Sequence, residues 1–467
     1  MNAPRCILSL LVFASASLTG ISCTQTAVTT PPDSALNATC TDENAATNVT
    51  GDATDETNDN RSDVTAAPAQ SNIRNVILLI GDGMGPQQIG LLELYARYAN
   101  DPAYPDHISN IGRMIQRSQN VVVVSTPSDG LVNESATGAT QLATGLPTRF
   151  GYLGIDADGA PVDSAIAFAR SLGMRTGIIS DTRLTHATPA SFGAHVHDRW
   201  DETTIAEQMI TSGTDVMLSG GWRYFIPHSA TNRDQRARYA ELFDIDPSEV
   251  QTKRDDERDL LDEAREEGYT VVTTPAALRD AAGAKLLGLF GAAGMQSGTQ
   301  WLEDRDNENR SQPTPNELFR SALPFLTQDA DKGFFLMIEG GQIDWAGHAT
   351  KAQLLLHEML RFDALVGEVV QWATEDGETA VVLTADHETG GFSIHYDRSG
   401  PPQPSIFADL DAFPNYVTFA TSAHTHTPVI GTFLAPQELT DELPGLVHQI
   451  EVGQLIRRWI RLAAESR

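Results

Sequence analysis

Asn75-Val76-Ile77-Leu78-Leu79-Ile80-Gly81-Asp82-Gly83-Met84-Gly85 runs an unbroken apolar segment into a glycine-rich turn that carries one carboxylate. An amphipathic helix would interrupt such a run with polar residues every third or fourth position, and a half-exposed strand would alternate. A short run that is apolar throughout is a strand covered on both faces. Runs of the same kind recur at residues 121–124, 176–180, 216–218, 270–273, 334–338, 380–383 and 429–434, and each predicts a buried strand. Between many of them lie amphipathic stretches, for example 164–172, 255–267 and 351–374, that predict helices. That alternation predicts the α/β class: a three-layer sandwich in which helices cover both faces of a large, mostly parallel, doubly wound central sheet. No internal repeat interrupts it.

In an open sheet of this kind the ligand site forms where polar loops leave the carboxyl ends of the strands. Asp82 follows the first strand, Glu339 follows Phe335-Leu336-Met337-Ile338, and Asp386-His387 follows Val381-Val382-Leu383-Thr384-Ala385. Three strands therefore deliver carboxylates to one edge. Each feature alone has a plainer explanation. Gly81-Asp82-Gly83 suits a tight turn, because Gly and Asp tolerate positive φ, and its spacing is not that of a dinucleotide fingerprint. Asp344 and His348, four positions apart, share a helix face as two metal ligands would, but so do two solvated side chains. Asp386-His387 reads equally as a cap and a satisfied histidine. Ser135, in Glu134-Ser135-Ala136-Thr137-Gly138-Ala139-Thr140, reads as a helix N-cap. A serine at that position also sits where the helix dipole favours a bound anion.

Composition narrows the function classes. A chain of 467 residues, 41% hydrophobic and 20% charged, can bury a large core, which excludes a disordered or fibrous protein. The formal net charge of -30, with no basic patch, excludes nucleic acid phosphates and anionic lipid as general partners. The same charge repels an anionic substrate, so a phosphate-handling site would need metals or arginine at close range. Cys6, Cys23 and Cys40 all precede residue 71. The body beyond them holds no disulfide, and any metal there is bound by Asp, Glu, His or hydroxyl groups.

Arg5, the apolar run 7–13 and the small residues up to Gly20 predict an exported chain with a signal peptide over 1–22. The run is too short to span a membrane. Cys23 follows Leu18-Thr19-Gly20-Ile21-Ser22, which resembles a lipoprotein cleavage site with Gly20 where leucine is usual. A plain secretory cut near Ala14-Ser15-Ala16 is the alternative. The expected location is the periplasm, or the outer membrane or cell surface through a lipid anchor on Cys23. Residues 23–70, rich in Thr, Asn, Asp, Ala and Pro, have too little to bury and predict a disordered linker. The catalytic domain is expected over 71–467.

What the separate explanations miss is the occurrence of all these features, in order, on one chain. To the 75–85 stretch are added the run 134–140 with Thr144-Gly145, Thr185-His186-Ala187-Thr188-Pro189, and Ala194-His195-Val196-His197-Asp198-Arg199. Glu339-Gly340-Gly341-Gln342-Ile343-Asp344-Trp345-Ala346-Gly347-His348, Thr384-Ala385-Asp386-His387-Glu388-Thr389-Gly390-Gly391 and His424-Thr425 complete the set. With these segments the sequence resembles the alkaline phosphatase family over residues 75–436. The resemblance implies hydrolysis of small-molecule phosphate monoesters by a site with two zinc ions and one magnesium ion. Asp344, His348 and His424 are the implied ligands of the first zinc, and Asp82, Asp386 and His387, joined by Ser135, of the second. Asp82, Thr188 and Glu339 are the implied magnesium ligands. The donor chemistry suits these ions, since imidazole with carboxylate favours Zn²⁺ and an all-oxygen set favours Mg²⁺. The resemblance further implies that Ser135 attacks phosphorus in line to give a phosphoseryl intermediate, and that Arg199 clamps two phosphate oxygens.

Some residues depart from the best-known bacterial pattern. Glu134 stands where an aspartate usually precedes the nucleophile and orients the arginine, which leaves the position of Arg199 open. Trp345 replaces a lysine or histidine near the phosphate, and His186 replaces an aspartate near the magnesium. These changes predict one fewer phosphate contact and weaker magnesium retention. His424 and His426 compete for one zinc position, and the family spacing to Pro428 favours His424; His426, His195 and His197 read as ordinary polar residues. Residues 223–324 lack recognisable ligands and predict an insertion at the rim. The stretch between His387 and His424 is short, so any extra domain there is small. Family members are commonly homodimers. Two other readings remain: a phosphodiesterase or sulfatase of the same superfamily, and an exported phosphate- or metal-binding protein without turnover. Glu339 with Thr188 and the nucleophile Ser135 argue against the first, and the full ligand set against the second.

Overall fold

Every residue of β1, Asn75–Gly81, is buried, as its unbroken apolar run requires. The computed structural model describes residues 72–304, 306–307, 310–395, 407, 416–441 and 443–466. The expected signal peptide, linker and Cys23 anchor lie outside the described residues, as does much of the stretch between His387 and His424. Along the chain β1 is followed by β2 Gln119–Val124, β3 Arg175–Arg183, β4 Val216–Gly220, β5 Tyr269–Val272, β6 Lys285–Leu289, β7 Phe334–Gly340 and β8 Thr379–Thr384. Then come the short β9 Glu388–Thr389, β10 Phe392–Ile394, β11 Val417–Phe419 and β12 His424–Thr425, and finally β13 Val429–Leu434 and β14 Leu446–His448.

Ten of these strands form one sheet in the order β14-β2-β13-β8-β1-β7-β3-β4-β6-β5. Only β13 runs antiparallel to its neighbours; the other pairings in the sheet are parallel. The eight predicted runs all lie on this sheet, with β5 ending one residue earlier than expected. β6 and β14 were not expected. Lys285-Leu286-Leu287-Gly288-Leu289 lacks a continuous branched run, and its glycine is there because a Cβ would lie 2.6 Å from the Leu218 side chain. β14 is only three residues long, too short to show a pattern.

The expected rim insertion, 223–324, is corrected in one respect. It supplies β5 and β6, which extend the central sheet beyond β4. The helix expected over 255–267 is shorter, Leu260–Glu266, because the Asp259 side chain accepts from the Leu261 and Asp262 amides and starts it there. Upstream of that cap, Asp256 accepts from Arg254 Nε at 2.7 Å and serves as its ion-pair partner. The other two predicted helices are Ala165–Ser171, capped by Ser164, and Ala352–Asp376.

The helix Ser135–Thr144 has all ten residues buried. Gly145, at φ 69°, ends it in a left-handed turn that a larger residue would adopt at a cost. The C-terminal helix Gln449–Glu465 packs against it, and Gln454 Nε2 donates to Gly145 O at 3.0 Å. No helix among the described residues is long and apolar enough to cross a membrane.

Candidate functional site

Strand order brings three predicted carboxylates together. β8, β1 and β7 are neighbours, and Ile80 is in register with both Thr384 and Glu339. Asp82, Asp386 and Glu339 consequently leave adjacent parallel strands at the same edge. The Ser135 helix approaches this edge closely, because a Cβ on Gly138 would lie 2.8 Å from the Asp386 side chain.

The N-cap of that helix is Glu134, not Ser135. Its carboxylate accepts from the amides of Ala136 at 2.9 Å, Thr137 at 2.8 Å and Gly151 at 3.1 Å. Its second oxygen also pairs with Arg199 Nη1 at 2.5 Å. Burial pushes the Glu134 carboxyl up, but Arg199 and the amide donors outweigh it and hold the group below its usual value. The longer side chain therefore still reaches Arg199. Ser135 is left as the first helical residue, buried, with Oγ 3.3 Å from His387 Nε2.

Asp344, His348 and His424 place one ligand atom each within 4.8 Å of one another. His348 Nδ1 lies 2.7 Å from Ser422 O, and His424 Nδ1 lies 3.0 Å from Asn133 O. Those carbonyls can only accept, which assigns the proton to Nδ1 in each ring and leaves both Nε2 atoms with lone pairs. The two Nε2 atoms stand 3.0 Å apart, each about equally far from Asp344 Oδ1, at 3.3 and 3.4 Å. Opposed lone pairs at that distance repel unless a cation or proton lies among them. His426 is exposed and belongs to none of these groups.

His387 repeats the arrangement deeper in the molecule. Its Nδ1 is 3.2 Å from Thr389 Oγ1, and its Nε2 faces Asp82 Oδ1 at 3.4 Å and Asp386 Oδ2 at 3.3 Å. Asp82, Asp344 and His387 form a second group of converging ligand atoms, and Asp82, His186 and Glu339 a third. Both oxygens of Asp82, Asp386 Oδ2, Glu339 Oε1 and Thr188 Oγ1 are buried without a hydrogen-bond partner. Glu339 Oε2, by contrast, is engaged by Ser180 Oγ and by Thr182 Oγ1, the latter at 3.1 Å.

Electrostatics point the same way. Burial, with the charges of Asp386, Asp344 and Glu339 beside it, pushes Asp82 well above the carboxylate range. Burial and Asp344 push Asp386 up to about 7, and burial and Asp181 push Glu339 up to about 8. Burial would raise Asp344 too, but the imidazoles of His424, His387 and His348 around it, once protonated, hold it far below the usual value. Buried acceptors that face one another without donors are costly as anions. Cations among them remove that cost, and the donor set of carboxylates, imidazoles and hydroxyls fits metal ions.

Arg199 Nη2 lies 3.3 Å from His186 Nε2. His186 meets the Trp345 ring edge-on at 5.7 Å, and the six-membered ring of that indole packs on Gly294, where a Cβ would come within 2.6 Å. Trp345 thus lines the site with an apolar wall. His195 and His197 stay apart from the ligand groups, His195 bonding Gly154 O at 2.7 Å and His197 packing edge-on against Tyr152.

Thr389 was missed as a functional residue although its motif was recognised. Its hydroxyl donates to Asp344 Oδ1 at 2.5 Å and meets His387 Nδ1 at 3.2 Å. One buried hydroxyl therefore orients candidate ligands of two different groups. Thr389→Val keeps the shape and removes that link. Metal affinity, read by competition with a chromogenic chelator, is expected to fall about 10- to 100-fold. Unchanged affinity would remove Thr389 from this role.

A profile of the family described as alkaline phosphatase matches residues 73–426. Alkaline phosphatase 4 of Bacillus subtilis is 32% identical over 333 residues, which cover 70% of this chain and 63% of that protein. Repressible alkaline phosphatase of Saccharomyces cerevisiae is 33% identical over 336 residues, 68% of this chain and 55% of that one. The chain thus spans less than two thirds of the length of these curated relatives. Among solved structures, alkaline phosphatase from the Antarctic bacterium TAB5 superposes with a TM-score of 0.64 at 27% identity, over 84% of this chain and 98% of that chain. A variant of the TAB5 enzyme has Mg bound in its M3 site.

Proposed function

Because the chain belongs to the alkaline phosphatase family, we propose that it hydrolyses phosphate monoesters to an alcohol and inorganic phosphate, with Ser135 as the nucleophile. The observation that carries this reading is the single carboxylate of Glu134, which caps the helix bearing Ser135 and pairs with Arg199. Nucleophile and phosphate clamp are held in register by one group.

Asp344, His348 and His424 would hold one zinc ion; Asp82, Asp386 and His387, with Ser135, a second; and Asp82, Thr188 and Glu339 a magnesium ion. The converging Nε2 atoms and the unpartnered oxygens support these sets. His186 brings an imidazole beside the third set, a donor that suits zinc better than magnesium. Bound there, the cations lower the pKa of a coordinated hydroxyl or water and neutralise charge on the phosphate and the leaving oxygen.

Ser135 Oγ gives up its proton and forms a bond to phosphorus as the bond to the alcohol oxygen breaks. The alcohol departs with a proton, and water then cleaves the phosphoserine to release phosphate. Each displacement inverts phosphorus, so two retain its configuration. Arg199 spends one N–H of Nη1 on Glu134 and directs Nη2 to His186, yet each nitrogen keeps a second N–H. Those two hydrogens remain to donate to non-bridging phosphate oxygens. The half-buried guanidinium supplies local positive charge in a chain of net charge -30.

Export to the periplasm, or to the outer membrane or cell surface through Cys23, belongs to the same proposal, supported by the apolar run 7–13 and the residues before Cys23. So does a homodimer, on the family's account alone. The reaction is tested by assaying the chain against a phosphate monoester, a diester and a sulfate ester, with and without a chelator. Hydrolysis of the monoester, abolished by the chelator, is the expected result. Faster turnover of the diester or the sulfate, or turnover that survives metal removal, would replace this reading.

A further inference from the structure

The mouth of the site is apolar. Among the described residues eight large hydrophobic side chains are exposed, and four of them, Leu131, Val132, Phe150 and Trp200, lie on the segments that frame Ser135 and Arg199. Hydrogen bonds from backbone amides hold these segments side by side. Arg199 N donates to Gly151 O at 3.0 Å, and Phe150 N donates to Asp129 Oδ1 at 3.0 Å. Gly151 N in turn reaches the carboxylate of Glu134, next to Ser135. Trp200 stands on the guanidinium itself, with its ring centroid 5.1 Å from Arg199 Cζ. The residue is nonetheless 69% exposed. An indole left so open contributes little to folding, and a concentration of such side chains around a reactive centre marks a surface that binds something.

We infer that Trp200 is the platform for the organic part of the ester, and that the site favours phosphate monoesters of aromatic or bulky apolar alcohols. This platform role rests on the reading of Ser135 and Arg199 given above. A phosphoryl group clamped by Arg199 carries its ester oxygen close to the ring stacked on the same guanidinium. Ser135 and Glu134 are buried, so the alcohol portion lies on the side of the open rim. An aryl group stacks on the free face of the indole, gaining area and ring contact; a glycerol group has no ring to stack and little apolar area to cover. Leu131, Val132 and Phe150 are exposed on the neighbouring segments.

The metal-loaded full chain is assayed with 1-naphthyl phosphate and with glycerol 2-phosphate. Trp200→Ala is expected to raise KM for the naphthyl ester about five- to tenfold with kcat within about twofold. The kinetics of glycerol 2-phosphate and competitive inhibition by inorganic phosphate are expected to stay unchanged, and Trp200→Phe to restore most of the loss. Equal losses for both esters together with weaker phosphate inhibition would make Trp200 a support for Arg199 and overturn the platform. Unchanged selectivity would overturn it too. A change of oligomeric state by light scattering, again with no change in selectivity, would give the rim to a second copy of the chain. If the parent hydrolyses neither ester, the assignment of Ser135 and Arg199 fails along with the platform; if it hydrolyses both with Trp200→Ala indistinguishable, only the platform fails.

Discussion

Ser135→Ala is expected to lower kcat for a phosphate monoester about 10³- to 10⁴-fold, while thermal stability and metal content stay close to those of the parent. The separation is possible because Ser135 does little for the fold. The helix cap is Glu134, and the side-chain contact of Ser135 is the 3.3 Å approach to His387 Nε2. Removing one hydroxyl of that kind changes stability by about 1 kcal/mol. Acid quenching during turnover of a labelled ester is expected to trap phosphate on the parent chain and none on the variant. Unchanged turnover in Ser135→Ala would remove the serine from the mechanism. Lost turnover accompanied by lost metal would make it a ligand without proof of attack.

Stripping the metals is expected to abolish turnover and to lower the melting temperature together. Asp82, Glu339, Asp344 and Asp386 are all buried, with several oxygens that no protein donor reaches. Without cations these groups must repel one another or take up protons. Three ions each present at about 100 times their dissociation constant would stabilise the native state by roughly 8 kcal/mol. For a body of this size that corresponds to a Tm shift on the order of 10 °C. Calorimetry with and without a strong chelator reads it directly. A melting temperature indifferent to the chelator would mean that the buried carboxylates are satisfied by other means, and would count against all three ion sites.

Much of this was legible in the sequence because it depends on local pattern. β1, β7 and β8 are covered on both faces, so their runs are apolar throughout, and the residue that ends each run is a candidate ligand. Adjacency of those three strands was not written locally, nor was the single antiparallel strand β13; both depend on where the crossovers return the chain. Glu134 shows the limit of reading residue types. Its longer side chain leaves the position of Arg199 open in the sequence, and the structure shows the carboxylate capping a helix and holding the arginine at once. Thr389, Asn133 O and Ser422 O were illegible for another reason. Carbonyls carry no residue identity, and the direction of a hydroxyl follows from packing that the sequence does not display. Nothing in the sequence singles out Trp200, and only its place on the Arg199 guanidinium gives it a use.

The helix that begins at Ser135 exposes none of its residues, and this bears on how the protein would lose function. Its amides can exchange with deuterated solvent only when the surrounding body opens, so they belong with the slowest-exchanging class rather than with the fraying loops. A site whose proposed nucleophile sits on such a segment has no gradual route to inactivity from within that helix. Heating would leave the serine in place until the central sheet itself gives way.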